Sequence, residues 1–173
     1  MLSDAEGQPG ALIAFATQKR LAFKESFTVY GDEEATRPVL TISADRRLDV
    51  RSTMTVRDPA GTSLGVLRKR GAASLLRSTW ELEPVGGPVV VVQERSLAVA
   101  LLRRLWDLVP AVGQVPLPWV FHFDGTDPSG AVVLTHTRRW GWRDHYVLEV
   151  ARDTVDPRLA IALAICLDAL QGR

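Results

Sequence analysis

The sequence predicts a mainly β domain: a closed antiparallel β-barrel built around a buried hydrophobic C-terminal helix, with one amphipathic helix at its periphery. Three observations carry this expectation. Between Ser26 and Val150, short segments alternate apolar and polar residues and are separated by Pro/Gly turns, the pattern of half-buried strands. Residues 157–170 read as a helix that is greasy on every side, and such a helix has to be wrapped by the rest of the chain. An antiparallel sheet curled around that helix gives every strand an apolar inner face and removes exposed edges.

In RLDVRSTMTV (Arg47 to Val56), Leu48, Val50, Met54 and Val56 share one face, with Arg47, Asp49, Arg51 and Thr55 opposite. Asp58-Pro59-Ala60-Gly61 is a turn, Pro presetting φ and Gly free to take positive φ. SLGVLRKR, LLRSTWELE, the turn Pro84 to Gly87, and PVVVVQE follow. PWVFHFD leads through Asp127-Pro128-Ser129-Gly130 into AVVLTHTRR, and DHYVLEV is the last strand. Two hairpin units echo each other: each has a D-P-x-G turn, an apolar strand ending in basic residues, then a strand bearing Trp80 or Tyr146.

Residues 95–110 interrupt the strands. Leu97, Leu101, Leu105 and Leu108 form one helical stripe, with Arg103 and Asp107 opposite and Arg104 at its margin. Ser96 is placed to cap this peripheral helix and Pro110 ends it. The last helix opens on Asp156 as its cap, with Pro157 in the first turn, where a missing N–H costs nothing. From Pro157 to Leu170 it rises about 21 Å at 1.5 Å per residue, short of the about 20 apolar residues of a span. It is therefore expected to be a folding element and not a membrane segment.

The 173 residues fit one domain spanning 1–173. A formal net charge of +1 offers no global field for nucleic acid. The lone Cys166 fits a reducing compartment, and MLSDAEGQPGALIAF lacks the features of a signal peptide. A cytoplasmic protein, peripheral to membrane where lipid is bound, is the expectation. His122, His136 and His145 are too scattered for a metal cluster. Cys166 falls on the buried helix, away from the exposed electropositive setting of a reactive thiolate. Without a G-x-S-x-G, P-loop or dinucleotide fingerprint, the sequence predicts neither an enzyme nor a cofactor.

FTVYGDE (Phe27 to Glu33), TVRDPAGTSLGVLRKRGAASLLRSTWELE (Thr55 to Glu83) and RDHYVLEVARDTVDPRLAIALAICLDAL (Arg143 to Leu170) give the chain a family likeness. It resembles the LURP-one-related proteins, within the superfamily that includes phospholipid scramblases and the Tubby C-terminal domain. The resemblance implies a barrel of about twelve strands around a central helix. Tubby-like domains bind phosphoinositides through basic surface residues. Scramblases carry an acidic segment, proposed to bind calcium, before the last helix; Asp153 and Asp156, with Arg152 alongside, do not reproduce it.

A barrel plugged by its own helix has no lumen, so a ligand is expected outside. Candidate residues for anionic headgroups are Arg68, Lys69, Arg70 and Arg77 on the first hairpin, and Arg138, Arg139 and Arg143 on the second. Arginine suits phosphate because its guanidinium fork donates in a bidentate manner. Alternation points Arg68 and Arg70 outward and Leu67 inward, with Lys69 at the strand end. The competing expectation is a protein-interaction or structural domain, including one that self-associates. Its candidate surface comprises Arg103, Arg104, Trp106, Trp140 and Trp142.

Overall fold

The computed structural model describes residues 26–44, 53–70, 78–96, 122–139, 145–151 and 154–171. Nine strands follow in chain order: β1 (Ser26–Tyr30), β2 (Pro38–Ala44), β3 (Thr53–Arg57), β4 (Ser63–Lys69), β5 (Thr79–Pro84), β6 (Val90–Glu94), β7 (His122–Thr126), β8 (Val132–Arg139) and β9 (His145–Val150). Helix α1 (Pro157–Gln171) comes after them. Every strand pairs antiparallel with its sequence neighbours, so the sheet is a simple meander from β1 to β9.

Two expectations are corrected here. The sheet is open, not a closed barrel: β1 and β9 are its two edges and do not pair, and nine strands, not about twelve, are found among the described residues. Burial on α1 gives the physical reason. Leu159, Ala160, Ala162, Leu163, Cys166 and Leu167 are buried, whereas Ile161, Ala164 and Ile165 are half-buried and Asp168 is exposed. At about 100° per residue these two sets fall on opposite sides of the helix. A helix that buries one broad face needs a sheet that cups it, not a closed ring. The expected peripheral helix at 95–110 lies outside the described residues except for Arg95 and Ser96, which directly follow β6.

Period-two alternation produces the cup. Leu40 and Ile42 of β2, Met54 and Val56 of β3, and Leu67 of β4 are buried on the inner face. Trp80 and Leu82 of β5, Val90 and Val92 of β6, Phe123 of β7 and Leu134 of β8 continue that face. All pack in one cluster with α1, whose large side chains each stabilise the fold by about 1.5–3 kcal/mol when buried. The approach is close at Gly65, where a Cβ would lie 2.8 Å from Leu159 Cδ2 and 2.5 Å from the Glu83 carbonyl oxygen.

The echo between the two hairpins is a structural fact at their turns. Asp58 N donates to Thr62 O at 2.9 Å and Gly61 N to Asp58 O at 3.0 Å; Asp127 N donates to Ala131 O at 3.0 Å and Gly130 N to Asp127 O at 2.9 Å. In both, the Asp Oδ1 accepts the backbone N–H four residues on, from Thr62 or Ala131. Gly61 and Gly130 have φ of 87° and 85°, a conformation that glycine adopts without a Cβ clash. The register also shifts next to each turn, at Val56/Arg57 and at Gly125/Thr126.

Candidate functional site: the basic end of the sheet

In a meander all even-numbered strands run the same way, so β4, β6 and β8 finish at one end of the sheet. They bring Arg68, Lys69 and Arg70, then Arg95, then Arg138 and Arg139 to that end. The turns 31–37, 58–62 and 127–131 and the approach to α1 at 154–156 lie at the other end, with Asp32, Glu33, Glu34, Asp58, Asp127 and Asp156. Helix α1 runs from the acidic end toward the basic one, since Tyr146, at the start of β9, donates its hydroxyl to Asp168 Oδ1 at 2.5 Å. A net charge of +1 therefore conceals a molecule with unlike ends.

The acids have a local purpose. Asp32 accepts the backbone N–H groups of Thr36 and Arg37, and the Thr36 bond leads in holding its carboxyl below the usual range. Asp127 is held low chiefly by the Ser129 hydroxyl. Asp156 is held low chiefly by the Arg158 side chain, whose guanidinium Nη2 lies 2.8 Å from it. Turn capping thus explains why acids collect there. Near these turns a shallow cleft of about 300 Å³ is lined by Ser63, Leu64, Pro84–Gly87 and Thr154–Asp156.

At the basic end the outer and inner faces differ. On the outer face Arg68 and Arg70 are exposed while Leu67 is fully buried, the orientation expected from alternation. Arg68 Nη2 lies 3.1 Å from Glu83 Oε2, and Arg70 Nη2 lies 2.5 Å from Glu81 Oε1. Arg95 holds Asp124 through a two-pronged pair at 2.7 and 2.6 Å, and this hydrogen bonding raises its pKa. The inner face places the Lys69 ammonium 5.9 Å from the centroid of the Trp80 ring. Arg138 stands opposite Tyr146 in the register. Beneath it the His136 ring stacks on Tyr146 at 5.1 Å, and burial pushes its pKa down to about 4 against the opposing pull of Asp168.

Of the residues singled out from sequence, Arg68, Lys69, Arg70, Arg138 and Arg139 therefore share one end of the sheet. Arg77, Arg143, Arg103, Arg104, Trp106, Trp140 and Trp142 lie outside the described residues. The sequence reading missed Glu81 and Glu83 as partners of the arginines; W-E-L-E on the strand after R-K-R carried the signal, but the register that aligns them did not show. His122 does face away from the core, its Nδ1 3.2 Å from Thr137 Oγ1, and Cys166 is buried, its thiol pushed up to about 12 by burial. Among the described residues no group of three His, Cys, Asp or Glu side chains is placed to hold a metal ion, and no helix is long and apolar enough to cross a membrane.

An antiparallel meander cupping one apolar helix, with a cluster of cations from β4 and β8 at one end, defines a class of mainly β domain. The LURP-one-related family model matches residues 13–168, and the chain belongs to that family. No curated protein and no solved structure matches it.

Proposed function

We propose that the protein is a non-enzymatic binding domain whose basic end rests against anionic phospholipid headgroups. One observation carries the reading: β4 and β8 deliver Arg68, Lys69, Arg70, Arg138 and Arg139 to the end of the sheet opposite the acidic turns. Such a molecule orients itself in the field of a negative surface, basic end first. Each basic residue near that surface contributes about 1 kcal/mol. The carboxylates at Arg68 and Arg70 do not forbid this, because exposed ion pairs contribute only about 0.2–1 kcal/mol each and can be exchanged for phosphate.

Flotation with neutral and anionic vesicles at low salt tests it. The wild type is expected to float only with anionic vesicles, and Arg68→Gln with Arg70→Gln to lose most of that binding while melting within a few degrees of the wild type. Glutamine is preferred to charge reversal, which would crowd new carboxylates against Glu81 and Glu83. If the wild type ignores anionic vesicles at low salt, the lipid reading is abandoned in favour of a protein-interaction domain.

A further inference from the structure

Resting on that reading, we infer that Glu81 and Glu83 act as built-in competitors for Arg68 and Arg70, so that the outer face of the basic end admits phosphate monoester headgroups and turns away diester ones. The geometry is specific. Arg68 stands opposite Glu81 in the β4–β5 register, yet its guanidinium reaches past it to Glu83 at 3.1 Å. Arg70, whose N–H donates to Thr79 O at 2.9 Å, likewise reaches two residues along β5 to Glu81 at 2.5 Å. Both guanidinium groups thus lean back over the sheet instead of extending beyond its end, and a carboxylate occupies each. Their partners are half-exposed, at 42% and 21%, so an incoming anion can reach the pairs.

Charge decides which anion can take the place of a carboxylate. A phosphodiester headgroup brings about one negative charge, no more than the glutamate, and the glutamate competes from the same molecule at high effective concentration. A phosphate monoester carries about −1.5 to −2 at neutral pH with three acceptor oxygens and can take both prongs of a guanidinium. In the second hairpin, Val147 and Tyr146 stand opposite Thr137 and Arg138.

The test compares phosphatidylcholine vesicles carrying phosphatidate, a monoester, with vesicles carrying phosphatidylglycerol, a diester, at matched total charge. The wild type is expected to prefer phosphatidate. Glu81→Gln with Glu83→Gln should bind phosphatidylglycerol vesicles about fivefold tighter, since two exposed pairs no longer have to be broken, and the preference for phosphatidate should collapse. Glu33→Gln with Glu34→Gln makes the same change in net charge at the opposite end and should alter neither quantity. Glu81→Gln alone should move in the same direction as the double variant. Equal tightening by both double variants, or a wild type without preference between the two lipids, overturns the inference. So does an unchanged Glu81→Gln/Glu83→Gln protein when Arg68→Gln/Arg70→Gln loses binding, and that result leaves the headgroup reading standing. Absence of binding by every form to every vesicle removes both.

Discussion

Neutral His136 holds the join between β8, β9 and the last turns of α1. Its ring lies between Tyr146, stacked at 5.1 Å, and Phe123, tilted at 6.3 Å, and its Nδ1 has no hydrogen-bond partner among the described residues. Burial lowers its pKa from 6.5 to about 4. The unfolded chain therefore takes up a proton below about pH 6.5 that the fold refuses until about pH 4. Its contribution is complete above pH 6.5 and is lost as pH falls through that window, at about 1.4 kcal/mol per unit. Denaturant titrations at pH 7.5 and 4.5 should show wild-type stability falling by about 3 kcal/mol, with His136→Phe losing much less; equal losses in both proteins would remove His136 as the cause. Gly65→Ala is the steric counterpart. Its new methyl would collide with the Glu83 carbonyl and Leu159, and a cost of about 1–3 kcal/mol is expected from overpacking, read as a lower denaturant midpoint.

At the scale of elements, α1 separates two leucine-like positions that look alike in the sequence. Leu163 is fully buried and Ile161 only half-buried. Leu163→Asp is expected to abolish cooperative melting, because a buried unpaired carboxylate cannot be accommodated. Ile161→Asp should leave a folded protein with a lowered melting temperature; a cooperative melt for Leu163→Asp would show that the helix is not the core. The repeated turn makes a matched pair of tests: Gly61→Ala and Gly130→Ala should each cost about 1 kcal/mol, and equally, since both glycines hold the same positive φ. Much of this was legible in the residues. Alternation identified the inner face of β3 at Met54 and Val56 and of β4 at Leu67, and the two D-P-x-G turns announced themselves by composition. Closure was not legible, because alternation records which face a side chain takes and is silent on whether the outermost strands bond to each other. Nor did the all-apolar run of α1 reveal its open side: Ile161 and Leu163 have equal hydrophobicity, and only the position of the sheet distinguishes them. The pairing of Arg68 and Arg70 with Glu83 and Glu81 was hidden for a related reason. It depends on the β4–β5 register, which the strand residues by themselves do not encode.

At the scale of the molecule, separation of charge along the strand axis predicts behaviour that the net charge does not. Attraction to an anionic surface should weaken steeply with salt, since screening acts over about 8 Å at physiological ionic strength. Swapping the ends of the dipole, with Arg68→Gln and Arg70→Gln at one and Glu33→Lys and Glu34→Lys at the other, should turn the molecule over on the surface, which fluorescence quenching of a probe at either end would report. The order of the elements has a different consequence, for synthesis. All nine described strands precede α1, and each pairs with its sequence neighbours, so hairpins can close as they leave the ribosome. Yet among the described residues their shared inner face packs against the helix at 157–171, and an apolar sheet without that helix invites association with other chains. The nascent protein is thus expected to depend on a holding chaperone until the helix emerges. Arrested chains lacking α1 should be cut readily by a dilute protease, and resistance should appear in a single step once the helix has cleared the exit tunnel.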